Sequence, residues 1–188
     1  MVQSVELLPG GAVEAWVRAQ WAALADADLP SLAHHQGETN RPHVTLAVAG
    51  SVTADAETAL EAALSDGAWR AAAVRPGGFV VFGPHGRGGR FVLARLAVPS
   101  PPLLALHEVV ARAWQPATDV PPTSRPGAWT PHVTLASRLT AAQLADAVVV
   151  AGAVAAPAAY EADTAVPPRG VRRWDGDGRE ERWLTGVP

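Results

Sequence analysis

Apolar positions along the chain alternate between a period near two and a period near 3.6, so strands and helices take turns. Residues 2–8 carry β-forming positions at strand spacing and end at Pro9-Gly10-Gly11, a turn signal. Val13, Trp16, Val17, Trp21 and Leu24 then fall at helical spacing, and the helix stops before Pro30. Residues 42–47 alternate as a strand, and a helix follows from Thr53 through Leu60 and Leu64, with Asp55 and Glu57 in its first turn. Short strands are expected at 69–74, 79–82 and 90–96, the last two joined as a hairpin through the glycine-rich GPHGRGG. Ser100-Pro101 opens a helix to Trp114 that turns Leu103, Leu106, Val110 and Trp114 inward. A proline-rich loop over 115–128 precedes a strand at 131–136. A helix begins at Thr140, where Thr140 and Gln143 match a capping box. Strands at 171–174 and 180–184 flank Asp175-Gly176-Asp177-Gly178, a hairpin turn. The pattern predicts a mixed chain of strands and helices in two related halves.

The relation between the halves is literal at one point. Residues 42–47 read PHVTLA and residues 131–136 read PHVTLA again. Chance repetition of a six-residue word in a chain of this size has odds of roughly a few in a thousand. Each copy starts with an X-Pro step, which biases the backbone to extended conformation. Alternation then puts His43, Thr45 and Ala47 on one face and Val44, Leu46 and Val48 on the other. In the second copy His132 and Thr134 oppose Val133 and Leu135.

Composition narrows the chemistry. The 188 residues fit one compact domain or two small lobes on a shared core, and 48% hydrophobic with 18% charged residues argues against disorder. No apolar run reaches the eighteen or so residues of a membrane span, and the start MVQSVELLPGG carries no export signal, so a cytoplasmic protein is expected. Cysteine is absent, which excludes disulfides, thiolate metal sites and cysteine nucleophiles. All fifteen basic residues are arginine. Without lysine there is no P-loop cation, no Schiff base and no lysyl-nucleotide intermediate. At a net charge of −3 with scattered arginines, the end of an RNA or a small phosphorylated nucleotide fits better than a long duplex.

A strand that carries His-x-Thr presents an imidazole and a hydroxyl side by side. Two such strands facing one another supply the groups a phosphodiester needs. One neutral imidazole accepts a proton from the attacking oxygen, and a protonated one donates to the leaving oxygen. Hydroxyls hydrogen-bond the non-bridging oxygens. No metal, cofactor or covalent intermediate is required. The duplicated words His43-Val44-Thr45-Leu46 and His132-Val133-Thr134-Leu135 resemble the two motifs of the two-histidine (2H) phosphoesterase superfamily, closest to its 2′–5′ RNA ligase and cyclic phosphodiesterase branch. The resemblance implies an α+β fold of two pseudo-symmetric lobes, residues 1–188 forming one bilobal domain, with antiparallel sheets lining a central cleft and helices outside. It implies catalysis by His43 and His132 and phosphate binding by Thr45 and Thr134. It also implies action on 2′,3′-cyclic phosphates or 2′–5′ linkages, with reversible ATP-independent ligation among the family's activities.

Other residues are secondary. Arg41 stands two before His43 and can steady a phosphate from the same face; Trp129 can stack on a base. His85, Arg87 and Arg90 surround the glycine-rich turn and read as a plain hairpin, and His107 reads as a packing residue on its helix. His34 and His35 lie in a loop, HHQGETNRP, that can border the cleft. A zinc hydrolase would need histidine pairs at ligand spacing, and a serine hydrolase a G-x-S-x-G turn; neither occurs. The alternative from another class is a non-catalytic module that binds RNA ends or cyclic nucleotides in the same cleft. No obligate protein partner is indicated.

Overall fold

In a computed structural model of the protein, residues 2–35, 37, 39–115, 117–157 and 166–186 are described. Two antiparallel sheets carry the chain. The first has strand order β2-β1-β6-β7, from β1 (Gln3–Leu8), β2 (Val44–Ala49), β6 (Gly170–Asp175) and β7 (Glu180–Gly186). The second has order β3-β4-β5, from β3 (Pro76–His85), β4 (Arg90–Ala97) and β5 (His132–Leu139). Both repeated words therefore sit on edge strands, and β2 and β5 approach one another between the sheets.

The four helices begin where local chemistry allows. Helix α2 (Ala54–Leu64) is capped by Thr53, α3 (Pro101–Ala113) by Ser100, and α4 (Ala141–Gly152) by the reciprocal Thr140–Gln143 box. Helix α1 (Gly11–Asp26) starts after Gly10 without a side-chain cap. Their packing interleaves the halves. Helix α1 follows β1 of the first sheet yet packs on β5 and α4, while α3 follows β4 of the second sheet yet packs on β2 and α2. Each sheet is thus covered by a helix that the opposite half supplies, and one core runs through both, from Trp21 and Leu24 to Leu103 and Trp114.

One expected strand is missing. Residues 69–74 form a 3-10 turn (Ala68–Ala71) and a coil, with Trp69, Ala72, Ala73 and Val74 buried. Their amides bond locally, Arg70 N–H to Gly67 O and Ala72 N–H to Trp69 O, so no ladder needs them. Gly67 starts the turn at φ +76°, a conformation that L side chains rarely adopt.

The strand alternation also breaks, at equivalent places in both copies. Glu6 pairs with Thr45 but Val5 pairs with Ala47, so Leu46 is an extra residue on β2. Ala94 pairs with Thr134 but Leu93 with Ala136, so Leu135 is the extra residue on β5. These bulges turn Ala47 away from the face of His43 and Thr45, contrary to simple alternation, and both Leu46 and Leu135 are fully buried. The bulge ends each motif after its threonine. The histidine and threonine stay half-buried, and the leucine after them returns to the core.

Candidate active site

The two motif histidines are held in the same way. His43 Nδ1 lies 2.7 Å from the carbonyl of Arg41, and His132 Nδ1 lies 2.7 Å from the carbonyl of Thr130, two residues back in each case. A ring nitrogen facing a carbonyl must carry the proton, so each Nδ1–H donates and each Nε2 is left for chemistry. Both rings are half-buried, as are Thr45 and Thr134 beside them. The backbones of the motifs are tied across the halves by two indoles. Trp21 Nε1 donates to Thr134 O at 3.0 Å, and Trp129 Nε1 donates to Thr45 O at 3.0 Å. The charge of His43 contributes to the lowering of the His132 pKa.

Around the rings the symmetry ends. On the first sheet, cross-strand pairing lines up Thr45, Glu6 and Arg172 on one face. Glu6 Oε1 stands 3.6 Å from His43 Nε2 and accepts from Ser4 Oγ at 2.7 Å. Its Oε2 accepts from Arg172 Nε at 2.8 Å, with Arg172 Nη2 also 2.8 Å away, a fork-to-carboxylate pair. Arg172 also donates to Glu181 and to Thr39 O. Burial alone would raise the Glu6 carboxyl. The charges of His43 and Arg172 and the hydrogen bonds from Ser4 and Arg172 outweigh it and hold Glu6 below its ordinary value. A permanent carboxylate therefore sits beside His43, and their attraction is strongest when His43 carries its proton.

His132 has an aromatic neighbour instead. Phe82 packs on it with ring centroids 4.5 Å apart. Burial lowers the His132 pKa, the hydrogen bond to Thr130 opposes this, and the His43 charge lowers it further; the net direction is down. His132 favours the neutral form.

The remaining sequence candidates fall in several places. Arg41 lines a cavity beside His43, and its buried Nε has no hydrogen-bond partner among the described residues. Trp129 has one indole face stacked on His107 at 4.0 Å and its N–H committed to Thr45, so it braces the motif strand. His107 is a buried packing residue with Nε2 in a hydrogen bond to Ser124 O, 3.0 Å away. His35 lines the His43 cavity, His34 ends a 3-10 turn (Leu32–His34), and Gln36 and Glu38 of that loop lie outside the described residues. His85, Arg87 and Arg90 sit on the β3–β4 hairpin as expected. Among the described residues no group of three or more His, Asp or Glu side chains converges as a metal site requires, and no helix is long and apolar enough to cross a membrane.

The family model for the 2′–5′ RNA ligase superfamily matches residues 12–166. The chain belongs to the 2′–5′ RNA ligase superfamily. No curated protein sequence matches it. Among solved structures, Usb1 of Kluyveromyces marxianus with uridine monophosphate aligns at a TM-score of 0.51 and 13% identity over 97% of both chains. A crystal structure of a phosphoesterase aligns at 0.43 and 18% identity, over 99% of this chain and 94% of that one. At 13% identity the likeness to Usb1 concerns the fold alone. Glu6, Ser4, Arg172 and Phe82 are what sequence reading of this superfamily member missed. A carboxylate inside the first strand, VQSVELL, two residues after Ser4, was the one available signal.

Proposed function

We propose that this protein is a metal-independent phosphodiesterase that acts on 2′,3′-cyclic phosphate or 2′–5′ linkages of RNA or nucleotides, with His43 and His132 as proton carriers. The observation that carries this reading is the matched pair of imidazoles. Both have Nδ1 fixed by the carbonyl two residues back and Nε2 left for chemistry, on edge strands that approach one another. The surroundings divide the labour. Neutral His132 Nε2 takes the proton of the attacking oxygen, a ribose hydroxyl or water. The new P–O bond forms as the bond to the leaving oxygen breaks, and His43, beside the Glu6 carboxylate, gives that oxygen its Nε2 proton. Opening of a resulting cyclic phosphate by water uses the pair in the reverse order and restores both. The Thr45 and Thr134 hydroxyls hydrogen-bond the non-bridging oxygens in this reading. Run backward, the same steps join two ends without ATP.

A product-resolved screen tests this. Nucleoside 2′,3′-cyclic phosphates, ADP-ribose cyclic phosphate and 2′–5′ dinucleotides are offered in EDTA, and the position of the product phosphate is read by chromatography. Turnover that survives the chelator is expected. Binding without turnover across a broad pH range would instead support a binding module.

The pH profile is a sharper check. His132 must be unprotonated to act as base, and its pKa is below the ordinary 6.5. The acid limb of kcat/KM is therefore expected below pH 6.5. Phe82→Ala admits water to the ring, relieves the burial that lowers the pKa, and should move that limb upward. A wild-type limb at or above pH 7 would contradict the assignment.

A further inference from the structure

A cavity of about 580 Å³ opens beside His43, large enough for a nucleoside and its phosphate. It is lined on the sheet side by Glu6, Arg172 and Trp174, on the loop side by Arg41 and His43, and at its rim by Arg179. Glu6 and Arg172 neutralise one another at the floor, with Glu181 as a further partner of Arg172. Arg41 and Arg179 form no ion pair among the described residues, and the Arg41 Nε is a buried donor left without an acceptor. Trp174 lies on the cleft face, opposite Ser4, half-buried and with no ring partner among the described residues. A fixed turn presents the rim. Asp175 accepts from Gln3 Nε2, Gly178 N–H and Asp177 N–H, which hold its carboxyl down at about 2, and Arg179 follows with φ +56°.

We infer that this cavity is a subsite for a second nucleotide unit on the His43 side of the scissile phosphate, its base on Trp174 and its own phosphate met by Arg41 and Arg179. An indole face offers stacking to any base, and a guanidinium fork suits a phosphate better than it suits an uncharged group. An unsatisfied buried donor beside a proton-donating imidazole is where the leaving half of a dinucleotide would lie. A mononucleoside 2′,3′-cyclic phosphate leaves this space empty. The enzyme therefore prefers substrates with a nucleotide on each side of the reacting phosphorus. The inference rests on the phosphodiesterase reading for its direction, but not for its binding test.

The probes are a 2′–5′-linked uridine dinucleotide with a terminal 3′-phosphate, and uridine 2′,3′-cyclic phosphate. Trp174→Ala and Arg179→Ala are each expected to lower the ratio of kcat/KM for the dinucleotide over the cyclic mononucleotide by about tenfold or more, and Trp174→Phe to retain most of it. A ratio unchanged or raised in both alanine variants overturns the subsite. Calorimetry in the His43→Ala/His132→Ala background separates the two claims. There the dinucleotide should lose about tenfold in affinity with either substitution. If that loss is seen but the wild-type protein turns over neither probe, the phosphodiesterase reading fails and the subsite stands. If binding is indifferent to Trp174 and Arg179, the subsite fails whatever the turnover.

Discussion

Alanine at His43 or at His132 is expected to lower kcat/KM on a 2′–5′ dinucleotide by about 10²–10⁴-fold, the range for removal of a positioned general acid or base. Each ring is half-buried and bonded only to a nearby carbonyl and its immediate neighbours, so the fold should survive either change. The double variant should fall little further than the worse single one. Once one proton carrier is lost the concerted transfer has ended, and effects of groups that act as a unit do not add. Additive losses would mean that the two imidazoles serve separate steps or separate sites. Steady-state kinetics on the three variants decides the matter.

The second large effect concerns stability. Arg172 and Glu6 are both buried, at 2% and 4% exposure, and are ion-paired at 2.8 Å. Arg172→Met strands Glu6 and should cost about 3–5 kcal/mol in urea unfolding at pH 7. Adding Glu6→Gln to Arg172→Met should recover part of that loss, because no buried charge then stands alone. A double variant as unstable as the sum of the singles would show that the pair is not coupled. The pH dependence has a definite sign. The folded-state pKa of Glu6 is below its ordinary value of 4.5, so its contribution is complete above 4.5 and is lost as pH falls through the lower folded value. Wild-type stability should decline in that window, and Glu6→Gln should flatten the decline.

Much of the fold and of the candidate site was legible in the chain itself. The duplicated PHVTLA placed both histidines and threonines, and the turn residues of GPHGRGG and DGDG placed two hairpins, because these features are local. The capping box at Thr140 was read directly for the same reason. The exceptions depend on partners distant in sequence. Arg172 lies 166 positions from Glu6, and Phe82 fifty from His132, so neither contact leaves a local pattern. Arg95 is similar: a charge in an apolar strand, it is buried between the rings of Trp16 and Phe79 and bonded to Gln20. The exchange of α1 and α3 between the sheets is equally silent, since an apolar helix face does not say which sheet it will cover. Residues 69–74 misled because a short apolar run reads alike as strand or buried coil when no pairing partner is known.

The proposed mechanism requires one geometry, with His43 and His132 on either side of a single phosphorus. The direct measurement is a titration of ¹⁵N-histidine-labelled protein with uridine 3′-monophosphate, followed by NMR at the ring nitrogens. The Nε2 signals of both histidines should move together and saturate at the same concentration, while Nδ1 of each stays bonded to its carbonyl. Movement of one histidine without the other, or of neither as the nucleotide saturates elsewhere, would contradict it.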